Sequence, residues 1–167
     1  LEQITMKFGP REVAVIGGGV IPHSKARPDL NITDQCVEAF NMAREDLSEQ
    51  MGKPFSNAYI DALVVSYFSD HFEQQLAFSW IPNDYLGLTP KPVFRVENGG
   101  AGPGTAIRTA WAIVASGLSE VCLVSGFEKQ GEVTSPKANE FIALASDTDF
   151  DFPVGGYYTG YYAAMEA

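Results

Sequence analysis

The sequence has little cysteine, little positive charge and no long apolar run, and each shortage excludes a class of protein. Two cysteines in 167 residues are too few for a disulfide framework or a zinc site. Eleven lysines and arginines against 21 aspartates and glutamates give a net charge of −10, which argues against nucleic acid and anionic membranes as partners. No stretch approaches the ~20 apolar residues of a membrane span. Residues 1–10 lack the apolar segment of a secretory signal. Together these shortages predict a reduced, cytoplasmic globular protein without a metal site.

Short apolar runs alternate with segments of helical periodicity along most of the chain. The runs predict four strands, at residues 13–16, 60–66, 93–96 and 121–125. Three helices are predicted. The first runs from residue 31, 33 or 34 to about residue 51, the second lies within 67–87 and is kinked or split at Pro82, and the third covers 105–116. Strands that alternate with helices predict an α/β domain, with helices packed on the faces of a largely parallel sheet.

The periodicity weakens after residue 126. Residues 131–151 are polar and acidic, and they predict a loop region with one apolar island at 141–145. Residues 157–167 predict the start of a further helix. The sequence therefore divides into an α/β domain at 1–130 and an incomplete region at 131–167.

Two glycine clusters follow predicted strands. Gly17, Gly18 and Gly19 suggest a dinucleotide fingerprint, but Pro22 occupies the position of its last glycine, so a tight turn is favoured over a nucleotide-binding domain. The second cluster holds four glycines within residues 99–104, which we term the glycine corner. A helix that begins there presents unpaired N–H groups and a positive dipole end, which bind anions or stabilise an anion formed in a reaction. A sharp turn required only for packing is the alternative.

The cysteine, histidine and tyrosine side chains could take part in a reaction, but each could instead serve only to pack the fold or to contact solvent. Cys36 and Cys122 have no basic neighbours in sequence and are interpreted as buried structural thiols. His71 follows the carboxyl end of a predicted strand, where ligands of α/β sheets collect, although a solvated histidine is the alternative. Four of the last residues are tyrosines. They could line an apolar pocket, pack against a partner or supply a phenol as an acid or base, and packing within the fold is the alternative. These tyrosines are Tyr157, Tyr158, Tyr161 and Tyr162.

From Arg95-Val96-Glu97-Asn98 into the glycine corner, the chain resembles the thiolase superfamily, in particular its sterol-carrier and archaeal-type branch. Further segments match in order over about residues 12–130: 13–17, 60–65, 86–90, 115–117 and 121–129. The resemblance implies a layered thiolase-like α/β fold, with a mostly parallel mixed sheet flanked by helices. It also implies that the chain corresponds to the N-terminal half of a two-half protein.

The chain departs from the thiolase pattern in two places. Gly100 stands where thiolases place the nucleophilic cysteine, so no acyl-cysteine can form at that position. The histidine and the second cysteine of thiolases belong to the C-terminal half, which this sequence does not contain. The two cysteines that are present belong to other elements of the fold.

The resemblance implies an enzyme subunit that acts on carbon–carbon bonds of acyl-CoA thioesters, in a retro-aldol reaction without an acyl-cysteine. Gly100 would supply a backbone oxyanion donor, and Asn98, Gly99, Ala101 and Gly102 would contact the substrate. His71 and Tyr158 are candidate catalytic side chains. Coenzyme A would enter as part of the substrate, with no covalently bound cofactor.

The resemblance also implies assembly with other chains. A homodimer is expected, together with a small zinc-ribbon/OB-fold partner protein. The alternative function is a non-catalytic thiolase-like subunit or scaffold of a hetero-oligomeric acyltransferase complex.

Overall fold

The computed structural model describes residues 11–156 and 158–167, in which helices and strands alternate. The strands are β1 (Ala62–Ser66), β2 (Val93–Arg95) and β3 (Cys122–Gly126). The α-helices are α1 (Ile32–Met51), α2 (Asp70–Glu73), α3 (Trp80–Tyr85), α4 (Gly102–Ala115), α5 (Ser135–Ala143) and α6 (Tyr158–Glu166). Short 3₁₀ turns cover Asn57–Tyr59, Gln130–Glu132 and Phe152–Val154. The order of elements confirms the predicted α/β class.

The sheet has β1 at its centre, with β2 on one side and β3 on the other. Both neighbours run parallel to β1, and Leu63 lies opposite Val93 in β2 and Leu123 in β3. Every residue of β1 is buried. A strand covered on both faces must be apolar throughout, which is why the run at 60–66 predicted this strand to within two residues.

Successive side chains of β1 point to opposite faces of the sheet and reach two separate cores. Leu63 and Val65 belong to one cluster with Phe40 of α1, whereas Val64 packs against Ala106 of α4. Helices α1 and α4 therefore lie on opposite faces of the sheet. This arrangement brings the start of α4 to the carboxyl ends of the strands.

Helix α1 begins and ends where its capping residues predict. The Asn31 side chain accepts the Asp34 N–H at 2.8 Å, and the Asp34 carboxylate accepts the Asn31 N–H in return. At the other end, Gly52 adopts a left-handed conformation with φ of 62°, which glycine reaches without steric cost. These local signals fix the boundaries of the longest helix.

The predicted first strand, at residues 13–16, is not formed, and this prediction was wrong. Val15 is 92% exposed, and no described strand pairs with the segment. The chain instead passes along α1, where the Gly18 N–H donates to the Asp46 carboxylate at 3.0 Å. An apolar run predicts a strand only if a neighbouring strand is available to share its hydrogen bonds, and the sequence does not specify that neighbour.

Two further predictions need correction. The helix expected within 67–87 is divided into α2 and α3, with Gln74 and Ala77 at positive φ between them, so the break precedes Pro82, which lies within α3. The loop expected at 131–151 contains helix α5, because Phe141 packs edge-on against Phe72 of α2 with ring centroids 5.4 Å apart. This tertiary contact stabilises a helix whose sequence alone has only a short apolar face.

The final predicted helix is confirmed as α6, although Tyr157 lies outside the described residues. Across residues 11–156 and 158–167, no helix is both long enough and apolar enough to cross a membrane.

Candidate active site

The glycine corner connects β2 to α4 through two tight turns. The Ala101 N–H donates to the Asn98 carbonyl at 3.0 Å, and the Gly102 N–H donates to the Gly99 carbonyl at 3.1 Å. Gly99 has φ of 52°, a conformation that favours glycine. The Asn98 side-chain amide donates to Thr105 Oγ1 at 3.1 Å, so it fastens the corner to the first turn of α4.

Helix α4 begins against the carboxyl end of β1. A Cβ atom on Gly102 would lie 2.5 Å from Ser66 Oγ, so the close approach of helix and strand requires glycine there. Ser66 is only 3% exposed, and its hydroxyl group has no hydrogen-bond partner among the described residues. A buried hydroxyl without a partner therefore lies beside the N-terminus of a 14-residue helix.

A cavity of about 560 Å³, which we term the corner cavity, opens beside this junction. Gly99, Gly100 and Gly102 form one wall, and the carboxyl ends of β1 and β3 form another. A Cβ atom on Gly100 would have no atom within 4 Å, so this position faces open space. The volume falls within the range of small-molecule sites in proteins.

Neither cysteine is placed or activated as a nucleophile. Cys36 lines the corner cavity but is only 4% exposed, and burial raises the pKa of its thiol to about 11. Cys122 packs with the cluster under α4, and burial also raises its pKa to about 11. A thiol with such a pKa is almost entirely protonated at neutral pH, whereas nucleophilic attack requires the thiolate.

Glu128, an exposed residue, lines the corner cavity and was not identified from the sequence. The Phe68 N–H donates to its Oε2 atom at 2.9 Å. Desolvation by the surrounding protein, reinforced by the charge of Glu73, raises the pKa of Glu128 to about 7. Its place just after β3, at the carboxyl end of a parallel strand, is the sequence signal that could have identified it.

His71 lies in a second cavity, which we term the side cavity. Its Nδ1 atom is 2.9 Å from Ser69 Oγ, and its ring lies 5.1 Å from that of Phe141. Asn98 lines this side cavity, and Gly99 lines both cavities. The structure therefore separates His71 from Gly100.

An ion pair dominates the side cavity. Arg95 donates to the Asp70 carboxylate at 2.7 Å, and the Tyr67 hydroxyl donates to the other oxygen at 2.6 Å. The Arg95 guanidinium also stacks on the Tyr67 ring, 3.9 Å from its centroid. Hydrogen bonds from Tyr67 and Arg95 outweigh desolvation and lower the pKa of Asp70.

Two predicted site residues line neither of these cavities. Ala101 precedes α4 and uses its N–H within the corner. Tyr158 lies on α6, where its hydroxyl donates to the Asn139 side chain of α5 at 3.4 Å. In the part of the chain that the structure describes, no three histidine, cysteine, aspartate or glutamate side chains come together as metal ligands.

Comparison with known proteins agrees with this architecture. An acetyl-CoA acetyltransferase from Methanothermobacter thermautotrophicus is 33% identical over 156 residues, which cover 93% of this chain and 38% of that protein. A second acetyl-CoA acetyltransferase, from Methanocaldococcus jannaschii, is 31% identical over 157 residues, with the same two coverages. No protein-family model matches the chain.

The fold has a counterpart among solved structures. The priming β-ketosynthase of a polyketide biosynthetic pathway matches with a TM-score of 0.53 and 29% identity, over 66% of this chain and 31% of the ketosynthase. The chain spans 38% of the length of the curated relatives that it matches. In sequence and in fold, this chain is thiolase-like.

Proposed function

We propose that this chain forms part of an enzyme that makes or breaks carbon–carbon bonds of acyl-CoA thioesters without an acyl-cysteine intermediate. The acyl-CoA class is supported by the names of the two curated relatives. The observation that carries the mechanism is the absence of a reactive thiol: Gly100 faces the corner cavity, and Cys36, the cysteine that lines it, is buried. Retro-aldol cleavage of a 3-hydroxyacyl-CoA needs no covalent nucleophile.

The corner suits a reaction that develops negative charge on a thioester oxygen. The first N–H groups of α4 and its dipole favour an anion at the start of the helix. In this proposal, the backbone N–H of Gly100 donates to the enolate oxygen, and the unpartnered hydroxyl of Ser66, which is buried against Gly102, joins it after the start of α4 shifts. Gly99 and Gly102 shape the wall against which the thioester lies, with Ala101 behind them and Asn98 on the adjoining side cavity.

The proposal places His71 and Tyr158 outside the chemical step. His71 lies in the side cavity, and Tyr158 contacts α5. The side cavity adjoins the corner cavity at Gly99 and Phe68, so His71 contacts a distant part of the substrate in this account.

The test is cleavage of 3-hydroxyacyl-CoA by the natural protein that carries this chain. We expect release of an acyl-CoA and a carbonyl compound, measured by liquid chromatography and mass spectrometry. Gly100→Cys is the matched variant, because a side chain fits there, and we expect it to gain no thiolase activity. Thiolysis of a 3-ketoacyl-CoA by the unaltered protein would contradict the proposal.

Failure of all turnover would favour the alternative of a non-catalytic thiolase-like scaffold. The assay therefore includes co-purified proteins, because a scaffold acts only with its partners.

We propose a homodimer, a zinc-ribbon/OB-fold partner and a cytoplasmic location as parts of the same account. Exposed apolar side chains on α4, among them Ile107 at 60% exposure, support a protein-covered surface. Sedimentation and co-purification measure the assembly.

A further inference from the structure

Glu128 is placed where a proton-transferring group is needed. It follows β3 and lines the same corner cavity as Gly99, Gly100 and Gly102. The Phe68 N–H, at the carboxyl end of β1, holds one carboxylate oxygen at 2.9 Å. Glu128 and the glycine corner therefore line one cavity at neighbouring strand ends.

No described lysine, arginine or histidine forms an ion pair with Glu128. Lys129, its neighbour in the chain, donates to the Leu30 carbonyl at 2.7 Å and pairs with Glu132 at 2.7 Å. Glu73, on α2, lies close enough for its charge to act on Glu128. The buried Oε1 atom of Glu73 has no hydrogen-bond partner among the described residues. Desolvation and this second carboxylate raise the pKa of Glu128 to about 7. A carboxyl group with such a pKa exchanges protons readily near neutral pH.

The other titratable groups on the corner cavity are less suited to this role. The Tyr67 hydroxyl is engaged by Asp70, and desolvation raises its pKa far above neutrality. Arg27 pairs with Asp29 at 3.0 Å, and Cys36 has a pKa of about 11. His23 and Lys25 lie on the exposed segment that borders the cavity, so His23 is the natural rival to test.

We propose that Glu128 is the acid–base residue of the reaction, a role that rests on the retro-aldol function proposed above. Its carboxylate accepts the proton of the substrate β-hydroxyl, and the O–H electrons form the new carbonyl at C3. The C2–C3 bond breaks, and its electron pair forms the enolate whose oxygen faces the corner. The protonated Glu128 then returns the proton to C2, which gives the acyl-CoA. No co-reactant is consumed.

The experiment separates this role from the overall reaction by measuring two rates. One is cleavage of a 3-hydroxyacyl-CoA. The other is exchange of the C2 proton of the product acyl-CoA in deuterated water, which needs only the base and the oxyanion donors. Both are measured against pH for the natural protein and for Glu128→Gln. We expect both rates of the natural protein to rise through about pH 7 as Glu128 loses its proton.

Glu128→Gln should lower both rates by about 10²–10⁴-fold with little change in KM, and it should abolish the inflection. Glu128→Asp should restore part of the rate. Glu120→Gln, at an exposed carboxyl group outside both cavities, is the matched control, and His23→Ala tests the rival. Thermal melting confirms that each variant folds.

Each result decides between the two proposals. If cleavage and exchange survive in Glu128→Gln, or if His23→Ala abolishes them instead, the role of Glu128 is wrong and the function stands. If the natural protein exchanges the C2 proton through Glu128 but cleaves nothing, Glu128 stands and the retro-aldol function falls. If it does neither, both proposals fall.

Discussion

The corner cavity and the side cavity meet at Gly99 but differ in how their polar groups are engaged. At the side cavity, Arg95 and Asp70 form an ion pair at 2.7 Å, and Asp70 also accepts the hydroxyl of Tyr67, which lines the corner cavity, at 2.6 Å; only Arg95 Nε in this group has no partner among the described residues. In the corner cavity, the buried Ser66 hydroxyl has no partner, and Glu128 has no paired cation among the described residues. Groups that satisfy one another stabilise a fold, whereas an unpaired buried group such as the Ser66 hydroxyl costs stability unless something else binds it; Glu128 is exposed and accepts backbone N–H groups but has no counter-ion in the described part of the chain. We therefore expect the polar groups of the side cavity to stabilise the fold and those of the corner cavity to take part in the proposed reaction.

Apart from Glu128→Gln, the largest expected effect comes from Ser66→Ala. If Ser66 donates to the enolate, turnover should fall by about 10²–10³-fold, the usual loss for one oxyanion donor. The free energy of unfolding should not fall, because the removed hydroxyl has no partner in the fold. Parallel measurement of kcat and of urea unfolding checks both statements. Unchanged turnover would remove Ser66 from the proposed site.

A pair of glycine substitutions tests how tightly the corner is packed. Gly102→Ala should lower the free energy of unfolding by about 1–3 kcal/mol, because its Cβ would lie 2.5 Å from Ser66 Oγ. Gly100→Ala should cost less than about 0.5 kcal/mol, because its Cβ meets nothing within 4 Å. Urea unfolding measures both. Adding Ser66→Ala to Gly102→Ala should recover part of the loss, and equal costs at the two glycines would contradict the described packing.

We expect Arg95→Met to lower the stability of the fold, because it removes the ion pair at the side cavity. The variant leaves Asp70 with Tyr67 but without its cation, and both members of the ion pair are mostly buried. We expect a loss of about 1–2 kcal/mol, between the values for exposed and fully buried ion pairs. Arg11→Met, which breaks an exposed ion pair with Glu120, is the control and should cost less. Similar thermal melts for the two variants would show that the side cavity does not carry stability.

The smallest expected effect is a pH dependence of stability due to Glu128. Its pKa in the folded protein, about 7, lies above the ordinary value of 4.5, so the folded state holds the proton more tightly. The contribution of Glu128 to the free energy of unfolding is therefore present in full below about pH 4.5, and it is lost as the pH rises through about 7. The difference in unfolding free energy between the natural protein and Glu128→Gln should decline over this range. A difference that rises with pH would show that the folded state favours the carboxylate.

Local signals in the sequence were enough to predict the centre of the fold. The apolar run at 60–66 predicted β1 because a strand covered by helices on both faces has no polar side. Gly52 predicted the end of α1, and Asn31 was one of three candidate caps for its start, because caps act within one turn of the helix. The glycine corner was predicted for the same reason, since a turn between a strand and a helix needs glycine locally.

The features that were missed depend on contacts distant in sequence. Residues 13–16 look like a strand, but a strand also requires a partner. Helix α5 depends on Phe72, which lies far from Phe141 in the sequence. The raised pKa of Glu128 and the unpartnered hydroxyl of Ser66 arise from neighbours that only the assembled fold brings together, which no motif encodes. Gly100 was identified through a resemblance, whereas these two groups were found only from the structure.

The most direct test of the central claim is covalent trapping at the corner cavity. The natural protein is incubated with a 3-hydroxyacyl-CoA that carries a radiolabelled acyl group, denatured in acid, digested and examined by mass spectrometry. We expect cleavage of the 3-hydroxyacyl-CoA with no label bound to any peptide of this chain, because Gly100 offers no nucleophile and both thiols are held protonated. An acyl group bound to Cys36 or to any other residue of the corner cavity would contradict it.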